Sequence, residues 1–189
     1  MREHHWRRQL RRSVPIMLTL ALVLGACSEK SGGEKAADAV TAGLAAHVAG
    51  RLDDAEKEYR KALAADQNNT SARYNLGLIA QTRGDAVTAE REYRAVLAID
   101  PRFAPALFNL AIVRTAAGAV AEAVALYRRA IAVNDLDANA HLNLGFALQQ
   151  LGQKAAATAE LARAVQLNPS LSSRIPQPTP TPKSATGPG

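Results

Sequence analysis

The chain has 189 residues, of which 48% are hydrophobic but only 4% aromatic, and it carries a net charge of +6. Abundant Ala and few aromatic residues favour closely packed helices over a sheet-rich core, which needs β-branched and aromatic side chains. The positive charge is concentrated in residues 1–27, and the remainder is nearly neutral, which disfavours a nucleic-acid partner because phosphate binding needs clustered basic residues.

The N-terminal segment has the pattern of a secretory signal. An Arg-rich stretch, residues 1–12, precedes an apolar run from Ile16 to Ala26, as in the n-region and h-region of such signals. The run has about half of the ~20 residues that a membrane-spanning helix needs. It ends in Leu24-Gly25-Ala26-Cys27, which resembles the bacterial lipobox. The resemblance implies that residues 1–26 are a lipoprotein signal peptide and that Cys27 receives the lipid.

Two other interpretations of this segment remain open: a cleaved signal followed by a coincidental Cys, or an uncleaved short anchor. Cys27 is the only cysteine, so neither an intrachain disulfide nor a cysteine metal site can form. The several acyl chains of a mature lipoprotein would hold the chain firmly at a membrane. Ser28 after the Cys resembles outer-membrane sorting in proteobacteria, so we expect a periplasm-facing outer-membrane location if the cell is Gram-negative. Residues 27–35 are expected to form the lipidated N-terminus and a short linker.

The next part of the chain is an internal repeat with a period of 34 residues. Its four units, called units 1 to 4 below, span residues 36–69, 70–103, 104–137 and 138–171. Position 15 of each unit is Gly, where a helix can end in the left-handed conformation. Small residues at positions 8 and 20 would let two helices approach closely, and a large residue at position 24 would fill the space between units. The position-24 residues are Tyr59, Tyr93, Tyr127 and Leu161.

This set of residues resembles the tetratricopeptide repeat (TPR), most fully in unit 2, which reads Tyr74-Asn75-Leu76-Gly77 and later Gly84-Asp85, Ala89 and Tyr93. The resemblance implies an all-α fold, an α-solenoid of four helix-turn-helix repeats wound into a right-handed superhelix. A single pair of short helices buries too little surface to be stable, so stacking of the units must create the core. Asp135 and Gln67 depart from the terminal Pro of the family.

By the same resemblance, the first helix of each unit lines a concave peptide-binding groove. We call the following set the candidate groove: Tyr74, Asn75, Leu78, Gln81, Phe108, Asn109, Ile112, Leu142, Asn143, Phe146 and Gln149. A carboxamide both donates and accepts hydrogen bonds, so repeated Asn at position 6 suits the main chain of an extended peptide. The alternative is that these Asn residues are only solvated. No groove position carries Lys or Arg, which disfavours a clamp for a C-terminal carboxylate.

The C-terminal residues 172–189 alternate Pro with Thr and end in Ser, Ala and Gly, so we expect a disordered or polyproline-like tail. No complete helix follows unit 4 to cover it. Leu161, Val165 and Leu167 are therefore expected to be partly exposed. Otherwise a partner, a second copy, or Leu171 and Ile175 folding back would cover them.

No sequence pattern of catalysis stands out, since the chain has no P-loop, dinucleotide fingerprint or nucleophile elbow. His141 is expected to be a hydrogen-bonded core residue and His47 a groove or surface residue, and no metal or cofactor is expected. Asp53 and Asp54 are expected at the start of a helix, where acids favour the helix dipole.

The leading functional hypothesis is therefore a non-enzymatic, lipid-anchored adaptor of the bacterial cell envelope that binds a protein or peptide partner. It resembles TPR lipoproteins that dock cell-wall hydrolases and proteases, and also pilotins. The alternatives are a structural factor that forms homodimers through unit 4, and the detached specificity module of an enzyme.

Overall fold

The computed structural model describes residues 30–176, which form a succession of helices without a strand. The α-helices are α1 (Gly32–Val48), α2 (Leu52–Ala65), α3 (Thr70–Thr82), α4 (Ala86–Ile99), α5 (Ala104–Ala116), α6 (Val120–Val133), α7 (Ala138–Gln150) and α8 (Lys154–Leu167). A 3₁₀ helix, Pro169–Arg174, follows α8. The predicted signal peptide 1–26, the predicted lipidation residue Cys27 and residues 177–189 of the predicted tail lie outside the described residues.

Each helix packs against the next one along the chain, so the helices form a continuous stack. Within a unit the two helices pair, as α3 does with α4, and the second helix then packs against the first helix of the next unit, as α4 does with α5. The buried residues form one apolar layer after another along this stack. The predicted all-α solenoid is confirmed. Over residues 30–176, no helix is both long and apolar enough to cross a membrane.

The turn inside each unit depends on the position-15 glycine. Gly84 has φ of +77°, and its counterparts Gly50, Gly118 and Gly152 have nearly the same value. This left-handed conformation places the N–H of Asp85 against the carbonyl of Ala80 at 2.9 Å, which closes the end of α3. The predicted role of the glycine is confirmed, since residues with a Cβ adopt this conformation only at a cost.

The small residue at position 8 allows the two helices of a unit to meet around a large ring. A Cβ on Gly77 would lie 2.6 Å from Cε1 of Tyr93, and a Cβ on Gly43 would lie 2.5 Å from Cε1 of Tyr59. Both tyrosines are fully buried, so neither ring can move aside into solvent. The predicted close approach at position 8 is confirmed for units 1 and 2.

The N-terminal helix begins earlier than the sequence analysis expected. Residues 32–35, assigned above to the linker 27–35, belong to the first turn of α1. The reason is a capping box, in which the Ser31 hydroxyl accepts from the N–H of Glu34 at 3.2 Å and the Glu34 carboxylate accepts from the N–H of Ser31 at 2.8 Å. Such reciprocal bonds satisfy two backbone donors that a helix start otherwise leaves unpaired.

The C-terminal segment is also more ordered than expected, because Ser172–Arg174 are part of the 3₁₀ helix and not of a disordered tail. Asn168 caps this helix by accepting from the N–H of Ser170 at 3.2 Å. Leu171 turns back onto Leu142, Leu161 and Ala164 and is only 6% exposed. Of the three coverings considered for Leu161, the structure therefore shows the fold-back.

Candidate functional site

The candidate groove is built from one stripe of side chains on the first helix of each unit. Residues at i, i+4 and i+7 share a helix face, and this spacing aligns Tyr74, Leu78 and Gln81 on α3. The same positions on α5 are Phe108, Ile112 and Thr115. These side chains are half-buried, so each presents part of its surface to solvent while the rest is held by the core.

Aromatic packing holds the exposed rings in place. The ring centroid of Tyr74 lies 5.3 Å from that of Phe103 and 6.0 Å from that of Tyr93, while Phe108 lies 5.9 Å from Tyr127. Distances of this size are typical of favourable tilted and edge-to-face pairs. The groove rings are therefore anchored to the position-24 tyrosines beneath them, and their solvent-facing edges are preorganised for contact.

A hydrogen bond that the sequence analysis missed connects position 24 to position 12. The Tyr93 hydroxyl donates to Oε1 of Gln81 at 2.7 Å. Gln81 therefore faces the candidate groove and also holds the buried Tyr93 ring in place. In unit 3, Thr115 takes the place of Gln81, and its hydroxyl donates to the carbonyl of Ala111 at 2.8 Å. The sequence signal was present in the pairing of Tyr at position 24 with a polar residue twelve positions earlier.

Unit 1 lacks this bond. Its position-12 residue is His47, whose ring centroid lies 6.5 Å from that of Tyr59, and the buried Tyr59 hydroxyl has no hydrogen-bond partner in the described part of the chain. Burial raises the pKa of Tyr59 and that of Tyr93, where nearby Tyr74 adds to the effect. Both hydroxyls stay protonated at neutral pH, but only that of Tyr93 donates a hydrogen bond within the described residues.

The Asn residues at position 6 are only partly available to a ligand. Nδ2 of Asn75 donates to the carbonyl of Ser71 at 2.8 Å, and Nδ2 of Asn109 donates to the Tyr74 hydroxyl at 3.0 Å. Burial raises the pKa of Tyr74, and this bond from Asn109 opposes the shift. Asn143 makes no side-chain hydrogen bond to residues 30–176. In all three, the carboxamide oxygen accepts no bond from the described residues and could accept one from a ligand.

Leu142 was predicted to line the groove, and this prediction is wrong. It is 0% exposed and packs with Leu161, Ala164 and Leu171. Leu171 lies at position 34 of unit 4, and its counterpart in unit 2, Phe103, packs in the same way on Tyr74. A leucine is shorter than tyrosine, so the fold-back that leaves Tyr74 half-exposed covers Leu142 completely. Unit 4 therefore offers Asn143, Phe146 and Gln149 to the groove.

Charged residues lie beside the groove positions and not among them. A four-membered network joins units 2 and 3, in which Arg94 contacts Glu122 at 2.7 Å and Arg114 contacts Glu90 at 2.9 Å. The hydrogen bond from Arg94 to Glu90, reinforced by Arg114, lowers the pKa of that carboxyl. The groove face itself is thus apolar and amide-lined, while the ion pairs tie neighbouring units together.

His47 and His141, the two histidines that the structure describes, do not form a metal site. His141 is 7% exposed, with Nδ1 at 2.6 Å from Glu160 and Nε2 at 3.1 Å from the carbonyl oxygen of Asp135. The prediction of a hydrogen-bonded core histidine is confirmed. Between residues 30 and 176, no group of three or more His, Cys, Asp and Glu residues is arranged to hold a metal ion.

Comparison with known families identifies the repeated unit. Residues 40–104 and 138–171 match profiles described as tetratricopeptide repeat, and residues 113–152 match one described as TPR repeat. The stacked helix pairs are tetratricopeptide repeats. The glycine turn recurs at the same position of every TPR, and the buried residue at position 24 is a tyrosine in units 1 to 3 and Leu161 in unit 4. Comparison with curated proteins finds no relative of this chain by sequence.

Solved TPR structures share the arrangement. MamA (residues 41-end) from Desulfovibrio magneticus RS-1 is 21% identical with a TM-score of 0.67, and the match covers 74% of this chain and 78% of that one. PilF of Pseudomonas aeruginosa is 26% identical with a TM-score of 0.66, over 74% of this chain and 64% of that one. YrrB, described as a TPR protein with an unusual peptide-binding site, is 19% identical with a TM-score of 0.63, over 74% and 75%. These likenesses establish a shared TPR fold.

Proposed function

We propose that this TPR protein is a non-enzymatic adaptor that binds an extended segment of a partner protein in the candidate groove. The observation that carries the proposal is the bond between Asn109 and Tyr74. It fixes a carboxamide at the junction of units 2 and 3 and leaves the carboxamide oxygen without a partner among the described residues. An extended peptide presents main-chain N–H groups at regular intervals, and such an oxygen can accept from one of them whatever the ligand's sequence.

The other residues of the candidate groove support the same function. Half-buried Tyr74, Phe108 and Phe146 offer apolar area, and packing beneath the first two limits the entropy lost on binding. Lys and Arg are absent from the groove positions, so recognition would not depend on a charged ligand group. We therefore propose a ligand segment that is extended, uncharged and partly apolar. YrrB, with its described peptide-binding site, is a precedent for this use of the fold.

The test removes the three carboxamides and compares peptide binding. Peptides enriched from a random-sequence library on the wild type would be labelled and titrated against Asn75→Ala/Asn109→Ala/Asn143→Ala. Each uncharged hydrogen bond contributes about 1 kcal/mol, so loss of three should weaken binding on the order of 100-fold.

A matched control is Gln67→Ala/Asn68→Ala/Gln153→Ala, which removes three exposed carboxamides from the loops between helices. This variant should bind like the wild type. If the groove variant is folded by circular dichroism and binds the same peptides with unchanged affinity, the groove is not the binding site.

We further propose that lipid on Cys27 holds the adaptor at the bacterial cell membrane, in Gram-negative cells at the outer membrane facing the periplasm. The support is the sequence Leu24-Gly25-Ala26-Cys27 after an apolar run. Metabolic labelling with an alkyne fatty acid should mark the wild type and not Cys27→Ser, and only the wild type should fractionate with membranes. Equal labelling of the two chains would refute the anchor.

A further inference from the structure

The outward side of α8, which we call the terminal face, is an apolar surface that the chain covers only in part. Leu161 is 6% exposed beneath Leu171, whereas Val165 is half-buried. The terminal face comprises Thr158, Leu161, Ala162, Val165 and Gln166 of α8, together with Gln149, Ser172, Ile175 and Pro176. These residues line an open groove of about 790 Å³. The terminal face is separate from the proposed peptide groove, although Gln149 lies at the border of the two.

The same face is covered in every earlier unit. In unit 2, Tyr93 and Leu97 on α4 lie against α5, the first helix of the next unit. Their counterparts on the terminal face are Leu161 and Val165, at the same repeat positions. The chain itself forms this type of interface three times, and each time the first helix of the next unit covers the second helix of the preceding one. The terminal face is the fourth surface of this type.

The 3₁₀ helix supplies only the beginning of that occupant. Leu171 takes the register position of Phe103, just before the point where α5 begins. The chain then reaches Pro176, and Pro in a helix interior removes a backbone donor and clashes with the preceding turn. The space that a full first helix would fill beside Val165 stays open.

The terminal face also lacks the charges found at the junction of units 2 and 3. Arg94 on α4 bridges to Glu122 on α6 at 2.7 Å across the junction of units 2 and 3. The register counterpart of Arg94 on α8 is Ala162. None of the residues lining the terminal face is charged, so an occupant would be selected by apolar shape and not by ion pairs.

The helices that cover the internal faces share one pattern. Each presents a small residue, then Leu four positions later, then an aliphatic or small residue three positions after that. These buried sets are Ala72, Leu76 and Ile79 on α3, Ala106, Leu110 and Val113 on α5, and Ala140, Leu144 and Ala147 on α7. This pattern describes the apolar stripe of an amphipathic helix.

Within residues 30–176, no other free surface carries the pattern. The corresponding positions of α1 are Asp38, Ala42 and Ala45, all of them exposed. The α1 end of the stack is therefore suited to contact with water. A second copy stacked head to tail would place this end on the terminal face and would contribute no leucine at these positions. Residues 177–189 contain no aliphatic or aromatic side chain larger than Pro. Neither α1 nor residues 177–189 supply such a stripe.

We propose that the terminal face binds an amphipathic helix of another protein, which stacks on unit 4 as a fifth first helix would. Its apolar stripe carries a small residue, Leu four positions later and an aliphatic residue seven positions later. The contact has the geometry of the α4–α5 and α6–α7 interfaces, without the ion pair between Glu90 and Arg114 that crosses the first of them.

The test uses a helix known to fit such a face. A fluorescein-labelled peptide with the sequence of residues 103–117, which contains α5, is titrated into the full chain and followed by fluorescence polarisation. We expect saturable binding that Val165→Asp weakens at least tenfold, because the Asp would be desolvated against an apolar helix. Substituting Leu110→Asp in the peptide should weaken binding to a similar degree.

The controls separate this surface from the fold and from the peptide groove. Val133→Asp alters a valine on α6 that is 38% exposed and lies outside the terminal face, so it should bind the peptide like the wild type. Asn75→Ala/Asn109→Ala/Asn143→Ala should also bind it normally. Circular dichroism checks that both Asp variants are folded at the assay temperature.

Three results would overturn the proposal. The first is unchanged binding to folded Val165→Asp. The second is a wild-type dimer, detected by sedimentation, that Val165→Asp converts to monomers, since a second copy would then be the occupant. The third is a tenfold or greater gain in peptide affinity when residues 177–189 are deleted, because the chain's own tail would then cover the face.

Discussion

The same substitution, Tyr→Phe, should have opposite effects on stability in units 1 and 2. The Tyr93 hydroxyl donates to Gln81 at 2.7 Å, whereas the buried Tyr59 hydroxyl meets no partner among the described residues. A buried polar group without a partner costs about 1–3 kcal/mol, and a typical hydrogen bond contributes about 1 kcal/mol net. Tyr59→Phe should therefore raise the free energy of unfolding by about 1 kcal/mol, while Tyr93→Phe should lower it by about 1 kcal/mol.

The two variants should then differ by about 4–8 °C in melting temperature, at about 2–4 °C per kcal/mol for a chain of this size. Repeat arrays can unfold unit by unit, so circular dichroism melts should be accompanied by hydrogen exchange of the α2 and α4 amides. Protection should rise in α2 for Tyr59→Phe and fall in α4 for Tyr93→Phe.

A double-mutant cycle isolates the missing bond. His47→Gln copies the arrangement of Gln81 and should stabilise the chain that has Tyr59 by about 1 kcal/mol, but should have no such effect on Tyr59→Phe. If Tyr59→Phe instead destabilises the protein as much as Tyr93→Phe does, the Tyr59 hydroxyl has a partner in solution and the reasoning is refuted.

Three further predictions concern packing, pH and the buried histidine. Gly77→Ala should lower the free energy of unfolding by about 1–3 kcal/mol, since the new methyl would lie 2.6 Å from the Tyr93 ring. Gly33→Ala should not, because its methyl would meet only the Ser31 hydroxyl oxygen, at an ordinary contact distance of 3.9 Å. Urea denaturation of both variants tests this difference. Burial raises the pKa of the tyrosines on α2, α4 and α6 above 10.0. The stability that these buried neutral hydroxyls contribute is therefore complete below pH 10 and is lost as the pH rises through the folded-state pKa. Denaturation midpoints that stay constant from pH 8 to 11.5 would contradict this. His141→Ala leaves Glu160 and a backbone carbonyl without their hydrogen-bond partner. It should destabilise the α7–α8 pair by about 1–3 kcal/mol. Hydrogen exchange should then show faster amide exchange in α7 and α8 and unchanged exchange in α1 and α2.

Much of the fold could be predicted because it depends on residues close together in the chain. The helix boundary at Gly84 follows from one residue that tolerates positive φ, and the capping box at Ser31 and Glu34 is visible within four residues, although the sequence analysis overlooked it. The repeat period then implies that each helix pair meets the next in the same way. For the same reason the stripe of Tyr74, Leu78 and Gln81 could be placed on one helix face from spacing alone.

Only the tertiary structure decided which of those side chains remain available. Leu142 is covered by Leu171, and the Asn109 carboxamide is held by Tyr74 of the preceding unit; each pair is far apart in sequence. Tyr59 and Tyr93 occupy the same repeat position, yet one hydroxyl is bonded and the other is not, because the side chain opposite each ring differs. Periodicity therefore determined the helices and their order, while burial and hydrogen bonding depended on side-chain shapes that meet only when the units stack.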